Sequence, residues 1–174
     1  MKNIELKVQV KNFRPFLPIL KSNAKYGGIL KQIDIYYYCK NGKFKSREIN
    51  NKEFVLIYYQ RANASDSKLS DYQIMSYDRK TFNQIKRLLK SALGEKLIVR
   101  NKRQLWLIGA TRIHLDQVSK LGNYLELETV LKGGNFTKAR KEHQQIINKL
   151  HLDKYKHINE SYSDLLPAVQ ISTR

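Results

Sequence analysis

The 174-residue chain has one cysteine, three prolines and eight glycines. Cys39 stands alone, which excludes an intrachain disulfide and any cysteine-rich zinc module. So few Gly and Pro exclude a collagen-like or linker-rich chain. Apolar runs are a handful of residues long, far short of the roughly 18–20 a membrane-spanning helix needs. Acidic residues are also scarce: 15 Asp+Glu against 33 Lys+Arg, for a formal net charge of +18. That excess asks for an anionic partner, whether a phosphate-rich small molecule, a nucleic acid or a membrane surface. The opening Met1-Lys2-Asn3-Ile4-Glu5 lacks the apolar stretch of a signal peptide, so a cytoplasmic location is expected. The length fits one domain over residues 1–174.

Alternation of apolar and polar residues fills the first half and predicts strands. Residues 4–10, 29–39, Lys43–Ile49, Glu53–Gln60 and Ser70–Ser76 read this way, with a polar loop over Ala62–Lys68. Asn41-Gly42 predicts a two-residue hairpin turn, and Asn50-Asn51 a second reversal. Asp78 caps a predicted helix over 79–92 that ends before Gly94. Strands are predicted again at 96–106, 109–116 and 123–131, then a break at Gly133-Gly134 and a helix over 136–150. An early helix near 13–25 is expected despite Pro15 and Pro18, and a short one over Ser161–Leu166 stopped by Pro167. Eight strands and three or four helices make an α+β chain whose antiparallel strands suffice to close a barrel.

Strand side chains alternate between two faces. Ile4, Leu6, Val8 and Val10 share one face of the first strand, opposite Glu5, Lys7 and Gln9. Lys43, Lys45 and Arg47 align; so do Val99, Asn101 and Arg103, then Arg112, His114 and Asp116, then Tyr124, Glu126 and Glu128. In an ordinary barrel the apolar face points inward and such charges are solvated. Two features favour the inverse, a charged lumen. Amphipathic helices need an apolar wall to pack against, and the carboxylates and cations form compact groups suited to a divalent metal and to phosphates.

The sequence resembles the CYTH proteins, also called triphosphate tunnel metalloenzymes, and among them the class IV adenylate cyclases. Ile4-Glu5-Leu6-Lys7 resembles the second half of an N-terminal Glu-x-Glu-x-Lys signature, and Lys43-Phe44-Lys45-Ser46-Arg47-Glu48 a basic-x-Lys-x-Arg-Glu strand. The most specific pieces are Thr111-Arg112-Ile113-His114-Leu115-Asp116 and Leu121-Gly122-Asn123-Tyr124-Leu125-Glu126-Leu127-Glu128. The resemblance implies an eight-stranded antiparallel tunnel with helices outside. It implies Mg²⁺ or Mn²⁺ held by Glu5, Asp116, Glu126 and Glu128. It implies a triphosphate held by Lys7, Lys43, Lys45, Arg47, Arg61, Arg103 and Arg112. Glu5, Lys7, Arg103, Asp116 and Glu126 would carry catalysis. Adenylate cyclase is the leading activity it implies; triphosphate hydrolysis comes next, and a non-catalytic polyphosphate- or RNA-binding module third. Two positions depart from the family pattern: Asn3 replaces a Glu and Asn101 an inward Lys. Dimers are common in that family, so a homodimer is a candidate state.

His114 reads as a lumen residue beside a carboxylate, with general acid/base work as the rival role. Cys39 and Trp106 read as buried hydrophobes. Tyr36, Tyr37, Tyr38, Tyr58 and Tyr59 read as packing residues, with base stacking as the alternative. Seven lumen cations minus four carboxylates is +3, far short of +18, so most of the charge lies outside. That exterior reads as a solvated basic face, with nucleic-acid binding as the alternative, and salt-sensitive binding would discriminate them.

Overall fold

The computed structural model describes residues 2–61, 68–131 and 135–167. Its strands are β1 (Lys2–Val10), β2 (Lys25–Tyr37), β3 (Lys43–Ile49), β4 (Glu53–Arg61), β5 (Lys68–Tyr77), β6 (Glu95–Ile108), β7 (Thr111–Val118) and β8 (Gly122–Val130). The helices are α1 (Leu17–Asn23), α2 (Arg79–Leu93), α3 (Phe136–Lys149) and the single turn α4 (Tyr162–Leu165). The strands close an antiparallel barrel in the order β1-β5-β4-β3-β2-β6-β7-β8, sealed by β1 against β8. Closure removes both sheet edges. No helix among the described residues is long and apolar enough to cross a membrane.

The barrel is inverted, with its charged face inward and its apolar face under the helices, as the resemblance implied. Leu6, Val8 and Val10 of β1 point outward with Ile113 and Leu115 of β7 and Leu125 and Leu127 of β8. They pack under Phe16 and Leu20 at α1 and under Ile146, Ile147 and Leu150 at α3. Each such aliphatic side chain, fully buried, contributes about 1.5–3 kcal/mol. Trp106 joins this core. His143 of α3 is buried against the barrel and hydrogen-bonds Thr129 of β8 at 2.8 Å. Asp78 caps α2 by accepting from the Thr81 N–H, and Phe82 packs on Phe54 of β4 with ring centroids 5.1 Å apart.

A second apolar cluster lies inside. Tyr36, Leu97, Val99, Val118 and Tyr124 meet Tyr162 of α4 and partly buried Ile158 and Leu165. The chain after α3 thus folds into one end of the barrel, tied by the Ile158 N–H donating to the Lys7 carbonyl at 2.8 Å.

Several local expectations are corrected. The Asn41-Gly42 connection is a five-residue loop over 38–42, not a two-residue turn. Only Gly42 of that pair has positive φ (67°), and a Cβ there would sit 2.7 Å from the Tyr59 carbonyl oxygen. The expected reversal at Asn50-Asn51 is present as a three-residue loop over 50–52, with φ of 52° and 56° at the two asparagines. Since β2 ends at Tyr37, Cys39 lies in that loop and is exposed rather than buried. The early helix is confined to Leu17–Asn23, because Ala24 is already extended and β2 starts at Lys25. β7 starts at Thr111, two residues later than expected, because Gly109 turns the chain with φ of 56°. The polar loop after β4 and the Gly133-Gly134 break lie outside the described residues.

Candidate functional site

Inside the barrel is a cavity of about 370 Å³ lined by Glu5, Lys7, Lys45, Arg47, Arg103, Arg112, Glu126 and Glu128. These eight were singled out from sequence parity, and the register brings them to one space. Asn3 of β1 lines it too. The cavity holds two charged walls.

On the β2–β3 wall, antiparallel pairing sets Asp34 opposite Arg47. Arg47 donates to both Asp34 oxygens at 2.6 and 2.7 Å, and Lys45 donates to one at 2.6 Å. Burial would raise the Asp34 carboxyl, but these two cations override it and hold it far below the ordinary carboxylate range. Lys45 is lowered, by burial first and by the like charge of Arg47 second, with Asp34 opposing. Its Nζ also donates to the Tyr36 hydroxyl at 3.2 Å and lies 5.8 Å from the Tyr59 ring centre.

On the β6–β7–β8–β1 wall, Arg103 donates to both Asp116 oxygens at 2.7 and 2.6 Å and to Glu126 at 2.8 Å. Lys7 lies 3.0 Å from Glu126 and donates to the Glu160 carbonyl at 3.0 Å. Arg112 donates to Glu128 at 3.0 and 2.8 Å. The Tyr72 hydroxyl donates to Glu5. Burial pushes Glu126 up, but Lys7, His114 and Arg103 more than reverse it and keep the group well below the usual range. Glu128 is likewise pushed up by burial and brought down to about 2 by His114, Arg112 and Arg103. The Nδ1 of His114 lies 3.8 Å from an oxygen of each glutamate.

Three sequence candidates do not face the cavity as anticipated or fall outside view. Asp116 is 0 % exposed and fully engaged by Arg103 and by the Tyr162 hydroxyl at 2.8 Å, so it sits behind the cavity lining. Lys43 reaches to the end of the barrel, where it donates to Asp164 at 2.5 Å, to Ser163 at 3.1 Å and to Ser161. Arg61 pairs with Ser70 at the end of β4, and its side chain lies outside the described residues. Asn101 shares the face of Arg103 and pairs with Gln32 across the β2–β6 seam, but it does not line the cavity, and no bulge brings Lys102 inward.

Asp34 was missed in the sequence. Its signal was there, in the alternation Gln32-Asp34-Tyr36 between Ile33 and Ile35, but the resemblance put no carboxylate on that strand. Counting it, the lining cations Lys7, Lys45, Arg47, Arg103 and Arg112 exceed the carboxylates Glu5, Asp34, Glu126 and Glu128 by five minus four, or +1. Among the described residues the lumen is close to charge-balanced rather than strongly basic. Of the five tyrosines singled out in the sequence, Tyr36 and Tyr59 line the cavity. Tyr37 packs outward on Phe44 and its hydroxyl meets Ser46, while Tyr38 is exposed.

Ligand atoms of His114, Glu126 and Glu128 lie within 4.8 Å of one another. Two carboxylates and a buried imidazole nitrogen with no hydrogen-bond partner among the described residues fit a divalent cation.

A closed barrel with a charged lumen, its apolar wall turned outward under helices, is the tunnel architecture. The CYTH domain model matches residues 1–162, and the chain belongs to the CYTH domain family. No curated protein matches the sequence. The PH1012 protein of Pyrococcus horikoshii OT3 is similar in structure, with a TM-score of 0.79 and 21 % identity over 94 % of this chain and 99 % of that one. A candidate adenylate cyclase of Vibrio parahaemolyticus superposes with a TM-score of 0.70 and 16 % identity, over 94 % and 96 %. HpAC1 of Hippeastrum, a candidate adenylyl cyclase described as having a dominant triphosphatase activity, gives 0.68 and 11 %, over 94 % and 93 %. At these identities the likeness speaks for the fold.

Proposed function

We propose that the protein is a metal-dependent enzyme acting on a nucleoside triphosphate in the barrel lumen, converting ATP to cyclic AMP and pyrophosphate. The observation that carries the triphosphate reading is one cavity with a cation pair on the β2–β3 wall and a carboxylate–imidazole cluster on the opposite wall. The choice of cyclisation follows the resemblance of residues 111–128 to class IV cyclases.

Glu126 and Glu128, with Glu5 beside them, would hold Mg²⁺ or Mn²⁺. When bound, that ion supplies a lowered pKa to the ribose 3′-hydroxyl and neutralises phosphate charge. Lys45 and Arg47 would take phosphate oxygens, with the guanidinium fork matched to them bidentately. Lys7, Arg103 and Arg112 now neutralise the glutamates and stand within reach of the same space. They would neutralise the charge that builds on the departing pyrophosphate, which is most of what such chemistry asks of a protein. Leu30, Val55, Ile57 and Tyr59 line the rest of the cavity and offer the nucleoside apolar contact.

Hydrolysis is the second reading, favoured by the triphosphatase activity described for the similarly folded Hippeastrum protein. Product analysis of the purified protein with ATP, separately with Mg²⁺ and Mn²⁺, tests both. Cyclic AMP with pyrophosphate supports the cyclase, and ADP with orthophosphate replaces it with the triphosphatase. No turnover of any triphosphate with either metal overturns the enzymatic reading.

A further inference from the structure

His114 stands between Glu126 and Glu128 on the metal-facing wall. It is 3 % exposed, and its Nδ1 is buried with no hydrogen-bond partner among the described residues. Leaving a buried polar atom unpaired costs about 1–3 kcal/mol, so such an atom points to a missing partner. The nearest polar atoms across the cluster are Glu126 Oε2 and Glu128 Oε1, each at 3.8 Å, beyond hydrogen-bond reach. Two ligands bound to one ion at roughly 2.1 Å lie about 3 to 4 Å apart, so these separations suit atoms converging on a shared cation. The backbone keeps them there: β7–β8 pairing sets His114 directly opposite Glu126, with Arg112 opposite Glu128 one step along the same face.

We propose that His114 is a metal ligand through Nδ1, which makes the lumen a mixed nitrogen–oxygen site selecting Mn²⁺, Co²⁺ or Zn²⁺ over Mg²⁺. Mg²⁺ holds oxygen ligands and dehydrates reluctantly, whereas the later divalent ions bind imidazole well. The inference rests on the reading that Glu126 and Glu128 hold a divalent ion. The rival is that His114 serves only as a positive charge between two glutamates, with the ion held by oxygens alone.

Calorimetric titration of the full chain with MnCl₂ and with MgCl₂ separates them, joined to pulsed electron paramagnetic resonance of the Mn²⁺-loaded protein. Wild-type protein should bind Mn²⁺ about tenfold or more tightly than Mg²⁺ and show coupling of the bound ion to nitrogen. His114→Gln should lose both the nitrogen coupling and the preference, with Mg²⁺ affinity little changed. Glu128→Gln should lose both metals. Wild-type Mn²⁺ spectra without nitrogen coupling, together with equal affinities in wild-type and His114→Gln, would overturn the histidine ligand while leaving the carboxylate site standing. The spectra need no variant, so a poorly folding His114→Gln does not blunt the test. No divalent binding by wild-type protein, with or without inorganic triphosphate present, would overturn both the ligand and the site.

Discussion

The two walls of the lumen solve the same electrostatic problem with different ratios. The β2–β3 wall places one carboxylate, Asp34, between two cations, Lys45 and Arg47. The β6–β7–β8–β1 wall places Asp116, Glu126 and Glu128 among Lys7, Arg103 and Arg112, with His114 added and Glu5 next to them. Buried charges persist only when paired, so both walls are paired. The first wall has one cation to spare for an anion. The second has carboxylates enough to exchange their cations for a metal ion. A metal–triphosphate complex, positive at one side and negative at the other, would match that polarity.

The strongest test of the difference is the removal of one carboxylate charge from each wall. Glu126→Gln is expected to reduce metal-dependent turnover by about 100-fold or more, the scale of losing one charge-stabilising group, as initial rates would show. Asp34→Asn is expected to leave the metal response intact.

Arginine truncation separates the walls by stability. Arg103 is what neutralises fully buried Asp116. Stripping one partner from a buried pair costs about 3–5 kcal/mol. Arg47→Ala should cost less, since Lys45 still faces Asp34. Urea unfolding of both variants checks the order, and equal losses would refute the contrast.

A subtler effect is expected from Asp34→Asn on ligand-free protein. Lys45 and Arg47 would lose their internal partner, so inorganic triphosphate should bind about tenfold tighter, or about 1.4 kcal/mol, by equilibrium titration. Weaker binding would mean that Asp34 orients these cations rather than competing for them.

The smallest expected effect lies outside the lumen. Burial lowers His143 from 6.5 to about 4, with Glu142 opposing. The unfolded chain therefore takes a proton that the folded one refuses, and the contribution of His143 to stability is full above pH 6.5 and lost as pH falls toward 4. His143→Gln should flatten that limb of the stability–pH curve. An unchanged slope would place the titrating group elsewhere.

Much of this molecule was legible along the chain. Period-two alternation located every strand, and parity grouped Lys45 with Arg47 and Glu126 with Glu128. What escaped depended on contacts between distant segments. Lys43 has the parity of Lys45, yet α4, more than a hundred residues later, draws it away. Cys39 follows an aromatic run but falls just past the strand end. Asp34 was hidden because one carboxylate between isoleucines resembles an ordinary polar position until Lys45 and Arg47 are set beside it.

The amino-acid order alone determined the alternation, the helix caps and therefore which residues share a face, since these depend on neighbours one to four positions apart. Only tertiary structure decided which face is the inside. That choice requires closing β1 against β8 and covering the outer wall with α1, α2 and α3. The same closure decided which charges meet: Lys7 and Glu126, or Arg103 and Asp116, become partners only through pairing across the barrel.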